Sequence, residues 1–342
     1  SSATTVMVVS FVNAGLLTLT QSIGVIMGAN IGTTVTAWLI SALGFKVDIA
    51  AFALPLLAFG IPLLFSGKSS RKSVGEFIFG FSFLFMGLQA LKANAPDLGA
   101  NPEMLAFVQN YTDMGFLSII LFLFIGAILT MIVQASAATM AITLIMCANG
   151  WIDYHLGVAL VLGENIGTTI TANLAALTGN TQSRRAALAH LVFNIFGVMW
   201  VLVLFYPFTA AVSWFVTDVM NISDPAVAVS FKLAAFHTAF NISNTFIMIW
   251  FVGLIEKTVC FLIKGKKDED EEYRLRYITG GMLSTAELSI LQAHKEITLF
   301  AERTGRMLDM VKGLFYEKNE DAFLKIYSRV EKYESISDRM EI

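Results

Sequence analysis

A ten-residue stretch that occurs twice constrains this chain more than any other feature. Gly28-Ala29-Asn30-Ile31-Gly32-Thr33-Thr34-Val35-Thr36-Ala37 returns as Gly163-Glu164-Asn165-Ile166-Gly167-Thr168-Thr169-Ile170-Thr171-Ala172, with eight of ten positions identical at an offset of 135. The same offset lays Ser1-Ser2-Ala3-Thr4-Thr5 on Ser136-Ala137-Ala138-Thr139-Met140 without a gap. Two motifs in one register mark an internal duplication. No charged residue occurs from Ser1 to Phe45, yet the segment is studded with Ser, Thr, Asn, Gln and Gly. A helix facing lipid does not carry such side chains, because unpaired polar groups in hydrocarbon cost several kcal/mol each. Gly28 and Gly32 weaken the helix and allow close backbone approach. Interrupted apolar segments in corresponding halves point to a binding site near the bilayer midplane. Small-residue helix packing also uses Gly, Ser and Thr, but packing alone does not call for Asn and Thr-Thr-x-Thr in both copies.

The rest of the chain fits a polytopic all-α membrane protein with a soluble end. With 56% hydrophobic and 14% charged residues it is no soluble domain. Of its 49 charged residues, 30 lie in the last 79. This divides it into a transmembrane domain, 1–263, and a soluble domain, 264–342. Apolar runs of about 20 residues predict spans at Ser22–Phe45, Ile49–Gly67 (kinked by Pro55 and Pro62), Val74–Leu91, Met114–Val133, Gln134–Ala148, Leu156–Thr178, Ala186–Tyr206 and Ala226–Ile255. Pro207–Val219 reads as a short interfacial or re-entrant piece.

Orientation follows from the Lys/Arg bias of the loops. Lys68, Arg71 and Lys72 mark one cytoplasmic loop, Arg184 and Arg185 another, and Lys264, Lys266 and Lys267 the exit of the last span. Residues 94–113 carry Asp97, Glu103 and Asp113 without Lys or Arg and belong outside. Parity then runs Ser22–Phe45 outward and Leu156–Thr178 inward. The two copies are antiparallel, which predicts inverted-topology repeats over about 1–92 and 134–257 with broken or re-entrant helices.

Other polar residues are weighed against plain structural roles. Glu164 lies mid-span, where an ionisable residue is a functional candidate. Lys232 can snorkel to the interface and is the candidate structural partner of Glu164. His190-x-x-Phe193-Asn194-Ile195 is echoed by His237-x-x-Phe240-Asn241-Ile242, a pattern that reads as polar stitching between helices rather than a proton relay. Cys147 and Cys260 show no disulfide or metal spacing. Without a basic stripe or interleaved aromatics, nucleic acid is not an expected partner; the lipid bilayer is.

The soluble end is helical. Ser284-Thr285-Ala286-Glu287 reads as a capping box. Ile290, Ile297, Ala301, Leu308, Val311 and Phe315 form one apolar face; Phe323, Ile326, Val330 and Tyr333 start a second helix. Two helices cannot cover such faces alone, so a larger bundle is implied. Asp268 to Glu272 reads as a solvated linker.

Gly-x-Asn-Ile-Gly-Thr-Thr after a Ser-rich segment resembles the type II sodium–phosphate cotransporters in their bacterial form. That family carries Gln-Ser-Ser-Ser motifs in each half, each followed by the Asn-Ile-Gly-Thr stretch. On that resemblance the sequence starts inside the first motif, its Gln and an upstream helix lying before Ser1. The second copy, Gln134-Ala135-Ser136-Ala137-Ala138-Thr139, keeps Gln and one Ser and has Ala at the other two serine positions. The soluble end is similar to PhoU-like domains, and Glu334-x-x-x-Asp338 resembles their acidic metal motif, although a solvated helix face explains it more simply.

The resemblance implies a sodium-coupled phosphate symporter of the bacterial inner membrane, with the C-terminal domain in the cytoplasm. Ser1, Ser2, Thr4, Gln134, Ser136 and Thr139 are the expected phosphate residues, aided by N–H groups at half-helix N-termini. Asn30, Thr33, Thr34, Glu164, Asn165, Thr168 and Thr169 are the expected sodium residues. Sodium is the coupling ion and no cofactor is expected. A phosphate sensor, or a symporter for another small oxyanion, is the competing reading. A channel would need an open polar path, and no nucleophile–base pair or metal cluster suggests an enzyme. A second copy or a regulatory partner would attach through the C-terminal helices.

Overall fold

The computed structural model describes residues 2–43, 49–93, 111–264, 275, 277 and 286–341. Ser1, residues 94–110, Asp268 to Glu272 and Ser284-Thr285 lie outside the described residues. The described residues form helices and no strand. The first half holds α1 Ser2–Asn13, α2 Leu19–Leu43, α3 Ile49–Leu64 and α4 Ser69–Ala93. Next come α5 Phe116–Val133, α6 Ser136–Ala148, α7 Tyr154–Gly167, α8 Thr169–Ala176, α9 Thr181–Val203 and α10 Phe205–Trp214. A π-helical turn, Phe215–Val219, leads to α11 Pro225–Met248, a 3-10 turn and α12 Val252–Leu262; the soluble end forms α13 Ala286–Leu314 and α14 Glu320–Glu341. Five stretches among the described residues are long and apolar enough to cross a membrane: Leu19–Leu43, Ser69–Ala90, Phe116–Val133, Thr181–Val203 and Val227–Leu262. Helix α3 is 16 residues long and continues through both Pro55 and Pro62.

The duplication is visible in the helices themselves. Helix α1 ends at Asn13 and α2 starts at Leu19, and 135 residues later α6 ends at Ala148 and α7 starts at Tyr154. Between each pair sits a glycine at positive φ, Gly15 at 64° and Gly150 at 71°, a backbone conformation that disfavours a side chain. The repeated unit is thus a short helix, a glycine turn and a second helix that enters the motif. The chain break also differs from the one expected from the sequence: α2 runs unbroken through the first motif, whereas the second is interrupted at Thr168, between α7 and α8.

The helices fall into two compact units, each with its own apolar core. The first comprises Gly28–Ile170 and Asn194–Ile247, the second Ser2–Met27, Thr171–Phe193 and Met248–Ile342. In the first, α5 and α7 touch backbone to backbone. A Cβ added to Gly163 would stand 2.0 Å from the Leu123 carbonyl oxygen, and one on Gly126 2.3 Å from that of Leu160. Helix α11 is the wall shared by several neighbours. Along α7 its contacts advance together: Lys232 Nζ lies 5.9 Å from the Tyr154 ring, Leu233 faces Gly157 and Asn241 reaches Asn165. Along α2 they run in opposite order, with Trp38 Nε1 donating to Thr238 Oγ1 at 2.8 Å and Ser41 Oγ to the Ser230 carbonyl at 3.0 Å.

In the second unit, three helix ends meet. The Asn180 N–H donates to Asn13 Oδ1 at 2.8 Å and its Nδ2 to the Asn13 carbonyl at 2.9 Å, joining the start of α9 to the end of α1. Arg185 Nε donates to the Ile263 carbonyl at the end of α12, at 3.0 Å. Cations on helix C-terminal carbonyls are favoured by the helix dipole. The turn after α1, the Arg184–Arg185 segment and the exit of α12 therefore share one end. Among the described side chains of α13, Gln292, Glu296, Leu299 and Arg303 are buried, while Ile290, Ile297 and Leu308, and Phe315 just after the helix, are exposed. On α13 the apolar stripe read from the sequence is not the buried face, whereas on α14 Tyr333 of the expected face is buried and Ile326 and Val330 are half-buried.

Gly163→Ala must push α5 and α7 apart. It is expected to cost about 1–3 kcal/mol of stability through overpacking, read as a lower melting temperature in detergent. Gly253→Ala, where an added Cβ meets nothing within 4 Å, should leave the melting temperature unchanged.

Candidate functional site

The two motifs bury their oxygens in the same way. Thr33 Oγ1 donates to the Ala29 carbonyl at 3.0 Å and Thr34 Oγ1 to that of Ile31 at 2.8 Å. At the same offset, Thr168 Oγ1 donates to the Glu164 carbonyl at 2.8 Å and Thr169 Oγ1 to that of Ile166 at 2.7 Å. A hydroxyl has one hydrogen and two lone pairs. Bonding that hydrogen back to the helix leaves oxygen lone pairs on the side chain that can face a cation. Asn30, Thr34, Asn165, Thr168 and Thr169 are buried and Thr33 is half-buried. All belong to the first unit.

The anion-binding candidates sit at helix starts. Helix α5 ends on Gln134 in the left-handed region (φ 54°), Ala135 is extended, and α6 restarts at Ser136. The left-handed turn at a non-glycine residue costs roughly 1–2 kcal/mol, so the break is held by its surroundings. Part of that hold is Thr130 Oγ1, which donates to the Gly126 carbonyl at 2.8 Å and lies 3.1 Å from Thr139 Oγ1 across the break. The N–H groups of Ala138 and Thr139 turn back to the Ala135 carbonyl at 3.1 and 3.2 Å. Those of Ser136 and Ala137 occupy the first turn, where a helix offers N–H donors and the positive end of its dipole. Gln134 is exposed, Ser136 half-buried and Thr139 buried. In the first copy Ser2 starts α1 and is half-buried, while Thr4, the counterpart of Thr139, is exposed.

Glu164 is 2% exposed, and its Oε2 is buried with no hydrogen-bond partner. Lys232 does not supply one. It lies over the Tyr154 ring, ten residues before Glu164 and therefore about 15 Å away along α7. The sequence missed the actual neighbour of this region. Asn241 Nδ2 donates to Asn165 Oδ1 at 3.4 Å and to the His237 carbonyl at 2.9 Å, while Asn165 Nδ2 donates to the Val161 carbonyl at 2.8 Å. In the second copy of the His-x-x-Phe-Asn echo, Asn241 bonds to another helix, and its partner is the Asn of the second motif. Only the repetition of His and Asn four residues apart hinted at this.

Elsewhere, Glu334 and Asp338 are exposed. Among the described residues no group of three or more His, Cys, Asp or Glu side chains is placed to hold a metal.

A sequence profile of the Na+/Pi-cotransporter family matches residues 1–93 and 100–216, more than half of the chain. The chain is 30% identical over 269 residues to the uncharacterized protein YqeW of Bacillus subtilis, covering 78% of this chain and 80% of that protein. It is 25% identical over 330 residues to the putative inorganic phosphate export protein YjbB of Salmonella typhimurium, covering 95% of this chain and 57% of YjbB. It spans, that is, little more than half the length of that relative. A 97-residue stretch is 41% identical to the rat sodium-dependent phosphate transport protein 2B, covering 27% of this chain and 13% of that protein. No solved structure matches.

Because Lys232 and Glu164 are far apart, their substitutions should act independently. In a double-mutant cycle of Glu164→Gln and Lys232→Met, the stability changes are expected to add within about 0.5 kcal/mol. A coupling above about 1 kcal/mol would mean that the two side chains pair.

Proposed function

The chain belongs to the Na+/Pi-cotransporter family, and on that premise we propose that it imports inorganic phosphate with sodium by alternating access around a site near the bilayer midplane. The observation that carries this reading is the duplicated, buried oxygen set in helices whose described part buries no Lys or Arg; the buried cation, Arg303, lies in α13. An anion without a lysine or arginine needs N–H donors and a companion cation. Ser1, Ser2, Thr4, Gln134, Ser136 and Thr139, with the first-turn N–H groups of α6, hold phosphate in this reading. Asn30, Thr33, Thr34, Glu164, Asn165, Thr168 and Thr169 hold sodium, whose charge offsets that of the anion in a low-dielectric cavity. Coupling follows because each ion binds better when the other is present.

Inverted repeats are part of the proposal. Helix α11 pairs with α7 in parallel order and with α2 in opposite order, which supports opposite directions for the two motifs. The shared end formed by the α1 turn, Arg185 and Ile263 supports placing that end in the cytoplasm. Residues 1–263 are then the transport domain and 264–342 a cytoplasmic, PhoU-like regulatory domain whose exposed apolar stripe is a surface for further helices. Export is the second direction to test, because YjbB is named a phosphate exporter. An inward sodium gradient drives a symporter inward.

In proteoliposomes, radioactive phosphate uptake should require an inward sodium gradient. Potassium supporting equal uptake at matched potential would end the coupling claim, and flux directed only outward would reverse the direction. Asn30→Ala and Asn165→Ala should each cut uptake at least tenfold at physiological sodium, and a chain truncated after Lys264 should keep sodium-dependent uptake.

A further inference from the structure

The side chain that meets the second motif from outside it is Asn241. It is 0% exposed, and both hydrogens of its amide are committed, one to Asn165 Oδ1 and one to the His237 carbonyl. That fixes the direction of the amide. Its Oδ1 is therefore an oriented acceptor, and it is buried with no partner. Leaving such a group unpaired is destabilising, and a contact serving only to stitch two helices has no reason to carry that cost.

Two further groups nearby share the condition. Glu164 Oε2 is buried without a partner, and so are both ring nitrogens of His237, one helical turn before Asn241. On α7, Gly157 and Asn165 face α11, whereas Gly163 and Gly167 face α5. At about 100° per residue, Glu164 falls between those two faces, about 60° from the one that meets α11. The carboxylate thus lies toward the seam of which α11 forms one wall.

We propose that Asn241 supplies a sodium ligand through Oδ1, so that α11 completes a cation site with Glu164 and Asn165 of the second motif. The inference rests on the sodium-coupled reading above and extends it to a helix outside both motifs. A neutral amide oxygen and a carboxylate oxygen are hard ligands suited to a hard cation. The water shell of such an ion provides hydrogen-bond partners for the imidazole of His237.

The test uses the full chain in detergent without phosphate, with sodium chloride titrated against choline chloride at constant ionic strength and the melting temperature as readout. Sodium should stabilise the wild type with a saturable midpoint. Asn241→Ala should raise that midpoint at least tenfold. Asn244→Ala, which removes another buried amide of α11, one that accepts from Trp200 Nε1 of α9, should lower the melting temperature in choline yet leave the midpoint within threefold. Asn241→Asp keeps an oxygen in place and should also stay within threefold; a tenfold rise there overturns the proposal even if Asn241→Ala does not fold. An unchanged midpoint in Asn241→Ala, with equal destabilisation in both salts, overturns it alone and leaves a structural stitch. Absence of any sodium response in the wild type overturns both this inference and the sodium-coupled reading.

Discussion

A hydroxyl or amide carried into hydrocarbon has to find its partners inside the protein, since no water is there to serve as one. In both motifs the adjacent pair of threonines meets that demand by bonding to a carbonyl three or four residues back. These bonds are local, which is why a duplicated sequence reproduces them one for one. They also have a chemical consequence. The hydrogen of each of these hydroxyls is used within the helix, whereas a hydroxyl oxygen also carries two lone pairs.

Position in this fold depends on how closely helices approach. Gly126 and Gly163 let α5 and α7 pack with backbone against backbone, and that contact fixes the rotation of α7 about its axis. With one face turned to α5, Asn165 has to meet α11, and Glu164 has to point between the two. The glycines of the second motif are therefore packing residues, and the polar residues between them take their direction from that packing. Packing glycines and buried polar side chains thus share one helix.

The sequence disclosed the parts of this arrangement that depend on repetition and composition. The offset of 135 that aligns the motifs also aligns the ends of α1 and α6, the starts of α2 and α7, and the positive-φ glycines Gly15 and Gly150. Apolar runs located the long helices to within a few residues. The break inside a motif was misjudged in one copy, because Gly28 and Gly32 permit an interruption but do not force one, and α2 stays whole. Partners in space were the illegible part. Charge type suggested Lys232 for Glu164, but a pairing is decided by axial register, and Lys232 lies at the Tyr154 end of α7. The buried face of α13 was hidden for a similar reason: Gln292, Glu296 and Arg303 are buried by contacts that no periodicity encodes.

Helix α11 touches both α2 and α7. Along one side it is bonded to α2 through Trp38 and Ser41, and along another it meets Asn165. Its bonds to α2 lie just beyond the first motif, and its bond to α7 lies within the second. A cation held between Asn241 and the second motif would favour one register of α11 against α7, because the ligand oxygens come from both helices. The same α11 carries the acceptors for Trp38 and Ser41, so a change in that register alters the wall against which α2 is packed. Coupling between two halves requires an element whose arrangement both halves bias. In this fold α11 is in direct contact with each.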